Sequence, residues 1–245
     1  MNDAEGDRNG PRKNPVMTRE PSQALSIDVA GSGAVSALLT MPAAARAAYV
    51  LAHGAGAGMH HPFMAAVASG LARRGVATLR FQFPSMERAS RRPDPPRVAH
   101  AAVRAAVGEA RRRLGALPLF AGGKSFGGRM TSQAEADAAL AGVRGLVFIG
   151  FPLHPPKQPG SERGEHLDRV GRPMLFFQGT RDELADPALV RALVDRLGER
   201  ATLVSIDDAD HAFHVRRSSG SDDNAVLDRI ADTTRAWMAR HGAER

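Results

Sequence analysis

From residue 25 onward the apolar positions fall into short β-type runs that alternate with longer stretches at helical spacing. Residues 25–30 and 35–41 predict two strands separated by Gly31-Ser32-Gly33, the composition of a hairpin turn. Residues 47–52 are nearly all apolar, as a strand buried on both faces of a parallel sheet would be. Residues 61–74 carry Phe63, Met64, Val67 and Leu71 at helical spacing and stop at Gly75. A strand over 76–81, a Pro/Arg-rich loop over 83–97, an Ala-rich helix over 98–114 and a strand over 117–121 come next. The pattern then predicts a helix over 126–136, a strand over 145–149 and an irregular Pro- and His-rich stretch over 151–170. A strand over 174–178, a helix over 187–197 and a strand over 202–206 precede a closing amphipathic helix over 223–240, with Ile230 and Trp237 on its inner face. Two antiparallel strands followed by repeated β-α units predict an α/β fold: about eight strands in a mostly parallel sheet, helices on both faces, one domain.

Composition changes that picture little. The 245 residues suit a domain over 24–245 preceded by a tail over 1–23. The first residues are rich in Asp, Arg, Asn, Pro and Gly, with too little apolar content to offset ordering and no apolar core of a signal peptide, so the tail is expected to be disordered. The absence of cysteine excludes disulfides, a thiolate zinc site and a cysteine nucleophile. No apolar run is long enough to span a bilayer, and a cytoplasmic location is the default expectation. The net charge of +7 raises the question of nucleic acid. Of 33 basic residues, however, only Lys13, Lys124 and Lys157 are lysines, and the arginines form short scattered clusters with few aromatics between them. That is the pattern of solvated faces, so no nucleic-acid or membrane partner is expected.

Chemistry enters at Gly123-Lys124-Ser125-Phe126-Gly127, where a buried strand runs into Gly-x-Ser-x-Gly and then a helix. A serine held in such a sharp strand-to-helix turn needs glycines two residues to either side, and it projects Oγ above the sheet. Two other readings compete. Ser125 could simply cap the helix, and Gly123-Lys124-Ser125 matches the end of a phosphate-binding loop. The latter needs a glycine at position 118, which is Pro118, and a loop where the pattern shows strand.

A nucleophilic serine requires a base, and the base an orienting acid. Asp182 follows the strand over 174–178 through a glycine turn, and His211 lies in the loop after the next strand. Asp182 could instead cap the following helix, but Asp186 immediately precedes Pro187 and is the better cap. Asp207, Asp208 and Asp210 read as solvated loop carboxylates, and no metal site or cofactor is expected. The loop His53-Gly54-Ala55-Gly56-Ala57-Gly58 is small enough to bring backbone close to a substrate, so Ala55 and Phe126 are the expected oxyanion donors, with Gly56 as the fallback. The third glycine of a dinucleotide loop would fall at 59, which is Met59. His53, His60 and His61 are expected to brace loops. Gly56, His154 and Arg129 are candidate pocket residues, with a structural role the stronger reading for His154 and Arg129.

With these residues in place the chain resembles the α/β-hydrolase superfamily, within it the dienelactone-hydrolase-like proteins and, more narrowly, the KANL/Tex type. The stretches that carry the resemblance are His53-Gly54-Ala55-Gly56, Arg80-Phe81-Gln82-Phe83-Pro84 with Met86-Glu87, and Gly122 to Arg129. Phe151-Pro152-Leu153-His154-Pro155-Pro156, Gln178-Gly179-Thr180-Arg181-Asp182 and Asp210-His211-Ala212-Phe213 complete it. The resemblance implies an α/β-hydrolase fold, a Ser125–Asp182–His211 triad, no cofactor, and hydrolysis of a small-molecule ester in the manner of a carboxylesterase. It also implies an alternative, a scaffold module with little turnover, because a eukaryotic relative is a subunit of a histone-acetyltransferase complex. Serine replaces the cysteine nucleophile of dienelactone hydrolase proper. The short stretch over 151–170 leaves no room for a large cap, and an open site suits small soluble esters.

Overall fold

The computed structural model describes residues 21–90 and 92–243. Its strands are β1 (Ser22–Val29), β2 (Gly33–Thr40), β3 (Ala47–Ala52), β4 (Val76–Phe81), β5 (Leu119–Lys124), β6 (Val143–Ile149), β7 (Met174–Gly179) and β8 (Ala201–Ile206). They form one eight-stranded sheet in the order β1-β2-β4-β3-β5-β6-β7-β8. The β1–β2 and β2–β4 pairs are antiparallel, and every pair from β4 to β8 is parallel. Six helices accompany it: α1 (Pro62–Ala72), α2 (Pro84–Glu87), α3 (Pro96–Leu114), α4 (Phe126–Asp137), α5 (Pro187–Leu197) and α6 (Asp223–His241).

Alternate residues of each central strand point to opposite faces, which divides the core in two. On one face Tyr49, Leu51, Phe120 and Phe177 pack against α1 and α6, with Ile230 and Trp237 turned inward as their spacing predicts. On the other, Val50, Leu79, Phe148 and Phe176 meet residues of α3, α4 and α5 such as Val103, Met130 and Leu193. This is the predicted α/β architecture. No helix among the described residues is long and apolar enough to cross a membrane.

Several boundaries differ from the prediction for identifiable reasons. β1 pairs from Ser22, so Ser22 and Gln23 belong to the sheet rather than to the expected tail, of which residues 1–20 lie outside the described residues. β5 starts at Leu119 and continues through Gly122 and Gly123 to Lys124 instead of stopping at 121. The stretch expected to be loop over 83–97 contains α2, and α3 begins at Pro96. Both helices open on proline, whose fixed φ suits a first helical position and whose missing N–H is not needed there. The excursion over 151–170 adds only a 3-10 segment, Glu162–Arg169, so no large cap covers the sheet ends.

Candidate active site

Parallel pairing from β4 to β8 places the carboxyl ends of β3, β5, β7 and β8 along one edge of the sheet, and each sends a loop into the same region. Ser125 sits between β5 and α4 at φ 50° and ψ −116°, a left-handed conformation rare for a side-chain-bearing residue. The turn closes this tightly because its flanks are glycine. A Cβ on Gly123 would lie 2.2 Å from the Ala52 carbonyl oxygen, and one on Gly127 2.6 Å from the same group.

Ser125 occupies the N-cap position of α4, yet its side chain makes no capping hydrogen bond. Its Oγ lies 2.8 Å from His211 Nε2 instead, and His211 Nδ1 lies 2.7 Å from Asp182 Oδ2. The capping role falls to Asp186 at α5, where Oδ1 accepts from the Ala188 and Leu189 N–H groups, and Asp182 is left for the histidine. Asp182 is only 4% exposed. The Gln178 amide donates to Oδ2 at 2.6 Å and the Leu184 N–H to Oδ1 at 2.8 Å, so both carboxylate oxygens are held. A hydroxyl, imidazole and carboxylate linked in this order can take the proton from the hydroxyl as it attacks a carbonyl.

The histidine loop is fixed from two sides. Asp210, a half-exposed loop carboxylate, accepts from the Ala212 and His214 N–H groups at Oδ1 and so also shapes the loop. Lys124 donates from Nζ to the His211 carbonyl at 2.6 Å and lies 5.4 Å from the centre of the Phe213 ring. Burial pulls its ammonium down to about 8, against the attraction of Asp182 and Asp210. Spacing gives no signal for Lys124 as a support, since it acts on a loop 87 residues away, or for Gln178, whose amide reaches Asp182 only through the turn after β7.

Ala55 follows β3, and its N–H has no hydrogen-bond partner among the described residues. Phe126 is the first residue of α4, where the N–H has no intrahelical carbonyl to meet. The loop carrying Ala55 is tied down by His53, which is 1% exposed. The ring accepts the Phe83 N–H at Nε2 and contacts the Gly54 carbonyl through Nδ1 at 2.7 Å. Burial holds this imidazole below the usual histidine range. Phe83 packs edge-on against both His53 and Phe126, and so joins the two loops that carry the candidate donors. His61 also braces, accepting the Phe63 N–H at the start of α1.

Of the candidate pocket residues, Gly56 lies beside Ala55 and Phe126. His154 does not reach the cleft at Ser125: Nε2 accepts the Asp186 N–H and Nδ1 contacts the Pro155 carbonyl, fixing the chain ahead of α5. Arg129 is likewise absent from the cleft wall, one turn into α4 with a buried Nε. No group of His, Asp or Glu among the described residues is arranged to hold a metal ion.

Comparison with known proteins agrees with this fold. A family model for an alpha/beta hydrolase domain matches residues 45–239. Among solved structures, an α/β serine hydrolase without lid from Xanthomonas campestris superposes with a TM-score of 0.69 at 24% identity, over 90% of this chain and 95% of that one. A dienelactone hydrolase from Anabaena variabilis gives 0.71 at 21% identity, over 91% and 99%. Est1E from Butyrivibrio proteoclasticus, with ferulic acid bound, gives 0.67 at 18% identity, over 89% and 99%.

Proposed function

Because the chain belongs to the α/β-hydrolase family, we propose that it is a serine hydrolase that cleaves small-molecule carboxylic esters through an acyl-enzyme on Ser125. The observation that carries this reading is the unbroken hydrogen-bonded chain from Ser125 through His211 to Asp182. His211 Nε2 takes the Ser125 proton as Oγ attacks the ester carbonyl. The oxyanion that forms is held by the Ala55 and Phe126 N–H groups, and the positive end of α4 adds to their field. His211 then returns the proton to the departing alcohol. Water, deprotonated by the same nitrogen, releases the acid and regenerates Ser125. Asp182 holds the imidazole with Nδ1 protonated and stabilises the imidazolium that appears in each step.

The test is labelling of the folded protein with a serine-reactive fluorophosphonate, together with turnover of p-nitrophenyl acetate and butyrate by wild type and Ser125→Ala. Labelling at Ser125 and a fall on the order of 10⁴-fold or more in kcat for the variant are expected. Equal rates for the two proteins would favour the scaffold alternative.

A further inference from the structure

Ser125 opens onto a cleft of about 700 Å³, a size at which pockets enclose a whole small molecule. An acetyl group beside Ser125 would leave most of it unfilled. Away from the serine, the walls are Pro62, Phe63 and Met64 from the start of α1, Phe213 from the loop after β8, and Leu227 from α6. Phe63 and Phe213 stack with ring centres 5.9 Å apart and planes at 25°, making one continuous apolar surface.

Lys124, His61 and His214 on the wall each make one side-chain hydrogen bond, and the Asp223 carboxylate gives the wall a negative charge. Lys124 is bonded to the His211 carbonyl, His61 Nδ1 to the Phe63 N–H, and His214 Nδ1 to Asp223 Oδ2 at 2.6 Å. No arginine lines the cleft. A carboxylate on the substrate would lose its water against Phe63 and Phe213 and meet the Asp223 carboxylate, which already holds His214.

We propose that this cleft is a subsite for an uncharged apolar arm of the substrate, a medium-chain alkyl or aryl group, attached to the ester that Ser125 attacks. The proposal rests on the esterase reading and departs from the expectation of small soluble esters drawn from the short stretch over 151–170. It specifies what the α1–α6 side of the cleft selects: apolar length, and absence of charge at its far end.

The experiment measures kcat/KM for methyl esters from acetate to octanoate and for acetates of ethanol to octanol, which samples the acyl and alcohol arms separately. In one series kcat/KM should rise by up to about fourfold per added methylene, the gain from burying a CH₂. The same chain ending in a carboxylate, monomethyl suberate for the acyl series or 8-acetoxyoctanoate for the alcohol series, should react on the order of 100-fold more slowly than the uncharged member of the responding series. Leu227→Trp, which fills the far wall, should lower the long-to-short rate ratio of the responding series by about tenfold or more. A folding defect would reduce both rates and leave that ratio unchanged. Flat profiles in both series, equal rates for the charged and uncharged members of the responding series, or an unaltered ratio in the variant overturn the subsite. Labelling of Ser125 by the fluorophosphonate in the same preparation separates the two readings. With labelling, flat profiles remove only the subsite; without it, the esterase reading falls and the subsite with it.

Discussion

The Lys124 ammonium donates a 2.6 Å hydrogen bond to the backbone carbonyl of His211, the residue whose ring faces Ser125. The residue next to the proposed nucleophile in sequence thus anchors the loop of the proposed base. Lys124→Met keeps the length and apolar stem of the side chain but removes this charged contact. A fall in kcat of about 10- to 100-fold is expected, the scale of a lost hydrogen bond to a charged group. Because burial brings the ammonium down to about 8, wild-type kcat should also decline as pH rises through that value. The decline should be absent from the variant, an effect that a purely structural role would not produce.

Asp182 accepts from both Gln178 and His211. Asp182→Asn preserves size but presents an amide to His211 Nδ1, favouring the tautomer with its proton at Nε2, where it faces Ser125. Steady-state kinetics should show kcat reduced on the order of 10⁴-fold with KM little changed. Gln178→Ala leaves the carboxylate in place with one support fewer, and a fall of about tenfold is expected.

The glycines around Ser125 should tolerate no side chain. Gly123→Ala would place its Cβ 2.2 Å from the Ala52 carbonyl oxygen, which belongs to the neighbouring strand and cannot retreat without breaking the sheet. A loss of about 3 kcal/mol or more in stability is expected by denaturant titration. Gly108→Ala, on α3 with open space where the Cβ would go, serves as the tolerated comparison.

His166 accounts for part of the acid sensitivity to be expected. Its ring lies 2.8 Å from Ser132 Oγ, and burial, together with Arg169 and Arg129, lowers it to about 4. The unfolded chain takes up this proton at ordinary histidine pH while the native state does not. Stability should therefore fall as pH drops from about 6.5 to 4, by at most about 1.4 kcal/mol per pH unit from this group. In His166→Gln, the dependence of the denaturation midpoint on pH should be shallower across that window.

The parts of this site legible in the sequence are those set by local chain geometry. Ser125 is marked by its flanking glycines, and Asp182 and His211 by their places just beyond buried strands. Asp186 is marked as the helix cap by the proline after it, and the structure gives it that bond. What escaped detection depends on neighbours in space. Gly122 and Gly123 have turn composition, yet they are extended because the adjacent strands approach too closely for a side chain. Pro84 and Pro96 looked like loop punctuation but open helices. His154 and Arg129 have the chemistry of pocket residues, but both lie outside the cleft wall, as their stronger structural reading has it.

The sheet order carries a last consequence. β8 is an outermost strand, paired on one side only, and His211 lies in the loop that leaves it. Ser125 follows β5, near the middle of the sheet and flanked on both sides. The proposed nucleophile and base are thus fastened to parts of the molecule with unequal resistance to opening, since a rim strand can detach while the interior pairs persist. Gradual heating should silence the centre by fraying at this border before the interior strands part.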